Sequence, residues 1–316
     1  MLGIIINTKS GKKAYLRQRY YLFNLLKERG EDYTYRITRY AGHATELARE
    51  LAEKNGIRKF LVLGGDGTIS ETINGLMAAR IPDRENLQFG IMPRGTGNDY
   101  GRYWNLTKNH RQSLDRFFNG TPQPVDVGCV EYVRNGLTRK HYFANSIGFG
   151  IDARTCRYTS VLKYYVGSHS INYFFSLIMA LTHHKSKLTS LKTVEGFELT
   201  KPLFTMNIGN GPYSGGGIRQ NPEADPQDGI FHAMFVTTPT FSQVIKAIPH
   251  VFDGTLTQLP FIHTYQTREV IIDSPETDPQ SGQLENHFTF EVDGILIDAC
   301  GPLKVTCEKH ALKIVC

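Results

Sequence analysis

The chain has 316 residues, of which 40% are hydrophobic and 21% charged, and its net charge is +6. This composition is typical of a soluble globular protein that is long enough for two domains, each with its own core. The sequence has no apolar run of about 18 residues, so no transmembrane helix is predicted, and the N-terminus does not resemble a signal peptide. Five cysteines without CxxC spacing favour a reducing cytoplasm over a disulfide framework. The basic balance comes with no recognised nucleic-acid module, so we expect no nucleic acid partner.

The first 120 residues alternate between strand and helix patterns. Strands are predicted at 2–6, 33–38, 59–63 and 87–92, and helices at 14–29, 44–54 and 69–79. Strands separated by helices of this length indicate a parallel sheet covered by helices.

The pattern changes at Thr121-Pro122-Gln123-Pro124, which predicts domains of 1–121 and 122–316. Strand-like runs then dominate, at 125–133, 141–147, 203–208, 230–237, 268–273, 287–292, 303–307 and 312–315, with helices at 172–182 and 240–252. Arg134-Asn135-Gly136 is a predicted hairpin turn. The second domain is therefore predicted to be rich in β-structure. The apolar segment 171–181 is predicted as a core helix, with a substrate-cleft wall or a membrane-facing surface as alternatives.

Four turns rich in glycine and polar residues follow predicted strands of the first domain, at 7–11, 38–43, 64–68 and 93–99. Ligands of an open α/β sheet bind at the carboxyl ends of its strands. A glycine turn before a helix directs backbone N–H groups at a phosphate. Asp66 lies in the middle of the third turn, where a carboxylate indicates a metal ion or proton transfer. Together the four turns predict a nucleotide cleft.

Two of these turns carry a family resemblance. Gly64-Gly65-Asp66-Gly67-Thr68, together with Gly95-Thr96-Gly97-Asn98-Asp99, resembles the lipid kinases that have a diacylglycerol kinase catalytic domain. The turn that starts at Asn7 resembles the family's first turn, with Thr8 in place of the usual proline. Further matches lie at 145–150 with Asp152, at 207–210, at 215–217 and at 222–229, so the resemblance covers nearly the whole chain.

The resemblance implies an N-terminal α/β nucleotide-binding domain of the NAD kinase/phosphofructokinase-like type and a C-terminal β-sandwich domain, with the active site between them. The C-terminal tail is expected to be able to return to the first domain. The implied activity is transfer of the γ-phosphoryl group of ATP, with Mg²⁺, to the hydroxyl of a lipid such as diacylglycerol or a sphingoid base. The implied nucleotide contacts are Asn7, Ser10, Gly11, Thr38, Gly64, Gly65, Asp66, Gly67, Thr68, Ser70, Gly95, Thr96 and Asn98. Asp66 and Asp99 are expected to face the phosphates and the catalytic Mg²⁺. The family's second, structural Mg²⁺ corresponds to Asp225, Asp228 and Ile230, of which Asp228 supplies its carboxylate.

The chain departs from the family pattern near its C-terminus. The family's base is usually the glutamate of an Asp-Gly-Glu triplet, which here reads Asp293-Gly294-Ile295. Either Asp293 takes over that role, or Glu291 does so from the same strand face, or the protein binds its ligands without turnover. We favour an active enzyme with Asp293, Asp66 and Asp99 as its catalytic residues, because phosphoryl transfer depends mainly on positioning and charge neutralisation.

Two further classes stay open at this point. A kinase of a soluble substrate, such as an NAD kinase, shares the Gly-Gly-Asp-Gly motif, and a nucleotide or lipid sensor without turnover fits Ile295. For the lipid kinase we expect a cytoplasmic location and peripheral contact with a membrane surface, and a homodimer is left open. Arg154, Arg157 and Lys163 either approach anionic headgroups or form a solvated helix face.

Overall fold

In a computed structural model of the chain, the described residues are 1–10, 15–106, 109–166, 171–182, 184–275 and 286–316. They form two compact units, one of residues 1–126 with 310–316 and one of residues 127–309. The predicted boundary after residue 121 falls at the start of strand β5 (Pro122–Arg134), which includes both prolines of the predicted linker. None of the helices in the described ranges is long and apolar enough to cross a membrane.

The first unit is built on a parallel sheet in the order β4-β3-β1-β2. Its strands are β1 (Leu2–Ile6), β2 (Tyr33–Ile37), β3 (Lys59–Gly64) and β4 (Gln88–Pro93). Ile6 is in register with Ile37 and Leu63, and Leu63 with Met92. The four strands therefore end at one edge of the sheet, where all four predicted turns begin.

The helices of the first unit are α1 (Tyr15–Glu28), α2 (His43–Glu53), α3 (Asp66–Met77), α4 (Asp99–Tyr103) and α5 (His110–Asn119), and a short 3-10 helix spans Arg84–Asn86. Leu22 and Leu26 of α1 and Phe117 of α5 pack with apolar residues of β1, β3 and β4 in one core. The predicted alternation of strands and helices up to residue 79 is confirmed: continuous apolar runs form the buried strands, and apolar residues at helical spacing form the buried helix faces. Helices α4 and α5 were not predicted.

The second unit contains eleven strands among its described residues. They are β5, β6 (Leu137–Phe143), β7 (Ser146–Gly150), β8 (Lys187–Thr193), β9 (Glu198–Leu203), β10 (Thr205–Gly209), β11 (Phe231–Val236), β12 (His263–Thr267), β13 (Glu269–Asp273), β14 (His287–Val292) and β15 (Ile295–Val315). One layer runs β12-β11-β10-β7-β14-β15, and the other contains β15, β13, β8 and β9 together with β5 and β6. A single apolar core joins the two layers. The end of β15 belongs to the first unit, where Lys313 and Ile314 pair with β4.

The second unit also has helices α6 (Ile151–Val166), α7 (Ile171–Thr182) and α8 (Phe241–Asp253), and a 3-10 helix at Leu256–Gln258. The predicted fold class, an α/β domain followed by a β-sandwich, is confirmed. The Asn135-Gly136 hairpin turn is also confirmed, since both residues have positive φ between paired Arg134 and Leu137.

Several elements of the second unit differ from the prediction. The predicted strand 141–147 is two strands, β6 and β7, because the backbone N–H groups of Ala144 and Asn145 donate to the Asp293 carboxylate. The two predicted C-terminal strands are one, β15. Strands β8, β9 and β12 were missed because their many exposed polar residues hide the alternation, and α6 was not predicted as a helix.

Candidate active site

The turns after β1 and β3 are joined by a side-chain hydrogen bond. Asn7 Nδ2 donates to Thr68 Oγ1 over 2.9 Å, and Asn7 Oδ1 accepts the backbone N–H of Lys9 over 3.0 Å. Thr68 lies in the first turn of α3, whose N-cap is Gly65. Asn7 thus fixes the first turn against the start of α3, where the positive end of the helix dipole lies.

The third and fourth turns meet backbone to backbone. A Cβ atom on Gly65 would lie 2.8 Å from Gly95 Cα, and a Cβ on Gly95 would lie 2.8 Å from Gly65 Cα. Ser10 Oγ is 3.5 Å from the same position on Gly65, so the first turn reaches this point as well. Only glycine allows so close an approach of two backbones, which explains the glycines at positions 65 and 95.

The fourth turn is closed by the side chain of Asn98. Its Oδ1 accepts the N–H of Gly95 over 2.7 Å, and its Nδ2 donates to the Gly95 carbonyl over 2.9 Å. Asn98 adopts φ +53°, a left-handed conformation that asparagine tolerates better than most residues. Asn98 therefore has a structural part in the turn, and its predicted nucleotide contact stays a prediction.

Asp66 lies against the start of α4. Its Oδ1 accepts the N–H of Tyr100 over 3.3 Å. Burial raises the pKa of Asp66, and hydrogen bonds from backbone N–H groups, that of Tyr100 first, oppose the rise. Asp99, the first residue of α4, is 6% exposed, and its Oδ1 lies 3.8 Å from Arg102 Nε. Both carboxylates are thus placed around one short helix start.

The second turn is tied to α3 through Glu71. The two carboxylate oxygens of Glu71 accept the N–H groups of Gly42, over 2.7 Å, and of Ala44, over 3.2 Å. Thr45 Oγ1 donates to the Glu71 carbonyl over 2.9 Å. Glu71 therefore binds the start of α2 to α3 and holds the turn 38–43 beside the other turns.

These turns enclose a cavity of about 420 Å³ in the first unit. It is lined by Asn7, Lys9, Ser10, Thr38, Arg39, Tyr40, Ala41, Gly65, Gly67, Thr68 and Glu71. The lining combines the start of α3 with the side chains of Lys9 and Arg39, and both features attract phosphate.

The structure brings together part of the predicted nucleotide site. Six of the predicted residues line the cavity, namely Asn7, Ser10, Thr38, Gly65, Gly67 and Thr68. Gly64 ends β3 directly before them, and Gly95 touches Gly65. Ser70 is only 1% exposed within α3, and Thr96 is exposed outside the lining. Gly11 lies outside the described residues. The cavity adds five residues, of which Lys9, Arg39, Tyr40 and Ala41 had their position after a strand end as the only signal, and Glu71 lies on α3.

Asp293, the predicted base, is fully engaged by backbone groups in the second unit. Its Oδ2 accepts the N–H of Ala144 over 2.8 Å, and its Oδ1 accepts those of Asn145 and Ser146 over 2.9 and 3.1 Å. It sits at φ +47° in the two-residue turn between paired Val292 and Ile295. Asp293 thus braces the β14–β15 hairpin against the turn before β7, and its catalytic role stays a prediction that this geometry does not favour.

The brace can be tested with Asp293→Asn. The amide keeps one accepting oxygen and places an NH₂ group against backbone donors, so we expect the free energy of unfolding to fall by about 1–3 kcal/mol. Asp298→Asn on β15, whose side chain is 51% exposed, is the control and should change it by about 0.5 kcal/mol or less. Chemical denaturation measures both variants. Unchanged stability combined with lost kinase activity would contradict the brace and support a base.

Glu291 lies beside a polar network that is centred on Asp152. Asn207, Gly148 and Glu291 are neighbours across β10, β7 and β14. Gly148 leaves a notch, since a Cβ there would lie 2.8 Å from Glu291 Oε1 and 3.0 Å from Asp152 Oδ2. Asp152, in the first turn of α6, accepts hydrogen bonds of 3.0 Å from Asn207 Nδ2 and Gln220 Nε2. Burial raises the pKa of Asp152 to about 6, although these amide hydrogen bonds lower it.

This pKa has a consequence for stability. The pKa of an unfolded aspartate is about 3.9, so the folded protein keeps the Asp152 proton to higher pH than the unfolded chain. The stabilising contribution is complete at low pH and declines as the pH rises through the interval up to about 6. We expect Asp152→Asn to remove this decline, so that the variant gains about 2 kcal/mol relative to wild type between about pH 4 and pH 7.5. Denaturation curves at both pH values measure the difference in free energy of unfolding between the variant and wild type. A difference that is the same at both pH values contradicts the raised pKa of Asp152.

The residues predicted to hold a structural Mg²⁺ already have protein partners. Asp228 Oδ1 accepts the N–H of Ile230 over 2.9 Å, and Asp228 Oδ2 lies 3.2 Å from His232 Nε2. Lys309 Nζ lies 3.4 Å from the Asp228 carbonyl, and Asp225 Oδ1 accepts the N–H of Gln227 over 3.0 Å. Within the described ranges, no three His, Cys, Asp or Glu side chains converge on a common point as metal ligands. These contacts give the loop a structure of its own, and the Mg²⁺ site at Asp225, Asp228 and Ile230 stays a prediction.

Comparison with known proteins places both parts of the chain. The family model of the diacylglycerol kinase catalytic domain matches residues 1–130, and that of the YegS C-terminal NAD kinase beta sandwich-like domain matches residues 145–316. The chain belongs to the diacylglycerol kinase family of lipid kinases. The family predicted from the glycine motifs is thereby confirmed.

Individual relatives of this lipid kinase agree with the assignment. A diacylglycerol kinase of Mycobacterium tuberculosis is 25% identical over 86% of this chain and 84% of its own length. A diacylglycerol kinase of Bacillus subtilis is 28% identical over 79% of this chain and 78% of its own. A solved diacylglycerol kinase of Bacillus anthracis superposes with a TM-score of 0.68 at 19% identity, covering 99% of this chain and 96% of that one. The yeast NADH kinase, with a TM-score of 0.50 at 10% identity over 99% of this chain and 82% of its own, shares the fold.

Proposed function

We propose that this protein transfers the γ-phosphoryl group of ATP, with Mg²⁺, to the hydroxyl group of a membrane lipid such as diacylglycerol or a sphingoid base. The observation that carries the proposal is the cavity at the carboxyl ends of β1, β2 and β3. There, Gly65, Gly67 and Thr68 at the start of α3 line one cavity with Lys9 and Arg39. Backbone amides, a helix start and two cations together suit a polyphosphate.

The residues in and around the cavity position the turns that would bind ATP. Asn7 and Thr68 hold each other and set the width of the phosphate turn. The contact between Gly65 and Gly95 lets the third and fourth turns close on the same group. Glu71 keeps the turn 38–43 in place through Gly42 and Ala44. Catalysis in such a site rests on positioning of the reacting groups and on stabilisation of charge.

Asp66 and Asp99 are the residues that would hold Mg²⁺ in this site. Burial raises the pKa of Asp66, so a carboxylate there becomes favourable when a cation lies beside it. Two carboxylates with water and phosphate oxygens are a typical Mg²⁺ donor set. When bound, the ion supplies neutralisation of the charge that develops on the transferred group. The hydrogen bond from the Tyr100 N–H to Asp66 Oδ1 positions this carboxylate at the start of α4.

The lipid side of the reaction belongs to the proposal as well. A lipid hydroxyl lies at a bilayer surface, so the protein must approach the membrane peripherally. The brace at Asp293 and the apolar Ile295 leave Glu291 as the other carboxylate beside the turn of the hairpin. Its Oε2 accepts the N–H of Gly294 over 2.7 Å. This arrangement favours a kinase that relies on positioning, and it also motivates the second candidate, a family member that binds ATP and lipid without turnover.

Purified protein with γ-labelled ATP tests the proposal. The acceptors are diacylglycerol, a sphingoid base and ceramide in detergent micelles, with NAD as the soluble acceptor. We expect label in a lipid product only with Mg²⁺ present. Labelled NADP instead would favour a soluble-substrate kinase. Measurable ATP binding by calorimetry without any labelled product would favour the non-catalytic candidate.

A further inference from the structure

Helices α6 and α7 form a helical pair on the second unit. Their inner faces meet in a small core of Ile151, Leu177 and Ala180, against which Tyr158, Leu181 and Phe204 pack. Phe204 lies directly before β10, so this core attaches the pair to the sandwich. The inner face of α7 is therefore buried in this core, and a polar outer face would be the ordinary arrangement for such a helix.

The outer faces are nevertheless apolar. On α7, Phe175 is 52% exposed, Ile178 40% and Met179 43%, and these positions follow the i, i+3, i+4 spacing of one helix face. On α6, Val161 is 48% exposed and Tyr165, one turn later, 77%. We call these five residues the docking face. Scattered single apolar residues are ordinary on a surface, whereas five on one helical pair indicate an interaction site.

The sequence that contains the two helices is rich in basic residues, of which Arg157 pairs with Asp298 over 3.7 Å. Between residues 151 and 187 the sequence has five lysines and arginines, Arg154, Arg157, Lys163, Lys185 and Lys187, and a single acidic residue, Asp152. Asp152 is engaged by Asn207 and Gln220 in the polar network. This segment thus carries four of the six net positive charges of the chain. An apolar face with basic flanks is the pattern of helices that lie in the interface of an anionic bilayer.

We infer that the docking face of α6 and α7 inserts into the interfacial region of a bilayer that contains anionic phospholipid. The inference rests on the proposed function, because a kinase of membrane lipids has to reach its acceptor at such a surface. A second copy of the chain is the poorer occupant, since docking two such faces would bring two basic segments together.

The docking face is also connected to the hairpin with the departing triplet. Cys156 Sγ, on α6, donates to the Gly294 carbonyl over 3.2 Å, and Asp152 in the first turn of α6 lies beside Gly148. Helix α6 therefore contributes residues to the docking face and also contacts the turn before Ile295.

Vesicle binding tests the inference without ATP. The 316-residue chain is sedimented with sucrose-loaded phosphatidylcholine vesicles, with and without phosphatidylglycerol. We expect binding to the anionic vesicles that weakens with salt, and at least about tenfold weaker binding for the double variant Phe175→Glu/Ile178→Glu. The matched control is Phe241→Glu/Ile245→Glu on α8, where the same residue types are 81% and 49% exposed. The control should bind within about twofold of wild type, because α8 lies outside the docking face of α6 and α7.

Three results would overturn the inference. They are unchanged binding of the α7 variant, an equal loss for the α8 control, and a wild-type dimer in light scattering that the α7 variant alone dissociates. Thermal unfolding verifies that both variants are folded. Kinase activity is measured separately on lipid in detergent micelles, where the α7 variant should retain wild-type activity. If the α7 variant loses vesicle binding while neither wild type nor variant phosphorylates a lipid, the docking face is supported and the proposed kinase function is overturned. Failure of the docking face and failure of the proposed function are therefore distinguishable.

Discussion

Asp66→Asn should reduce the kcat of lipid phosphorylation by about 10³-fold, with ATP binding still measurable. The carboxylate of Asp66 lies at the start of α4, beside the glycine turn that lines the cavity. Asparagine can still accept the Tyr100 N–H, so the turn should keep its shape. What it loses is the negative charge that holds a cation against the phosphates. Removal of one preorganised electrostatic group in an active site typically costs about 10²–10³-fold in kcat.

The matched control for this variant is Asp83→Asn in the same unit. Asp83 forms an ion pair with Arg58 over 2.7 Å, and the Arg58 guanidinium lowers the pKa of its carboxyl group. It lies outside the cavity lining, so kcat should stay within about twofold of wild type, because isolated surface ion pairs contribute little. The measurement is a Mg²⁺ titration of kcat for both variants. A wild-type kcat in Asp66→Asn would contradict the proposal that Asp66 is a ligand of Mg²⁺.

Ile295→Glu should raise kcat by about 10²-fold. Ile295 pairs with Val292 across the two-residue turn and is half-buried at its end, so a longer polar side chain can be accommodated at this position. Glutamate there restores the family's triplet and its proton acceptor, and a general base typically contributes about 10²–10⁴-fold. The measurement is kcat as a function of pH, in which a new acidic limb should appear near the pKa of the introduced group.

Ile295→Gln is the control for this substitution. It matches glutamate in size and polarity and cannot accept a proton in the same way, so it should leave kcat within about threefold of wild type. Equal gains in both variants would assign the effect to polarity or space instead of proton transfer. Wild-type kcat in Ile295→Glu would mean that positioning alone carries the reaction, or that another residue such as Glu291 already accepts the proton.

The fold of the first unit could be predicted because each of its longer strands and helices is signalled by residues that are neighbours in the sequence. Apolar runs such as 2–6 and 59–63 are continuous and form buried strands, and helix α2 between them carries Leu47 and Leu51 on one buried face. Parallel strands joined by helices end at one edge, so the convergence of the four turns also followed from the sequence. Helix α4 was missed because it is five residues long and depends on contacts with Asp66 from another turn.

The second unit was less accessible to sequence reasoning because its strand ends depend on distant partners. The break between β6 and β7 is fixed by Asp293, about 150 residues away, and no local pattern at Ala144 signals it. The same contact gives Asp293 a structural part that its motif alone did not indicate. Likewise, Ser70 belongs to the glycine motif by sequence and is nevertheless buried in α3, since helix geometry turns it away from the cavity lining.

Mass spectrometry of a lipid extract tests the central claim most directly. Purified protein is added with Mg-ATP to total cell lipids in micelles, and Asp66→Asn protein serves as the parallel sample. The account predicts at least one lipid class that gains one phosphoryl group with wild type and not with Asp66→Asn. No new phosphorylated lipid from a folded, ATP-binding wild-type protein would contradict it.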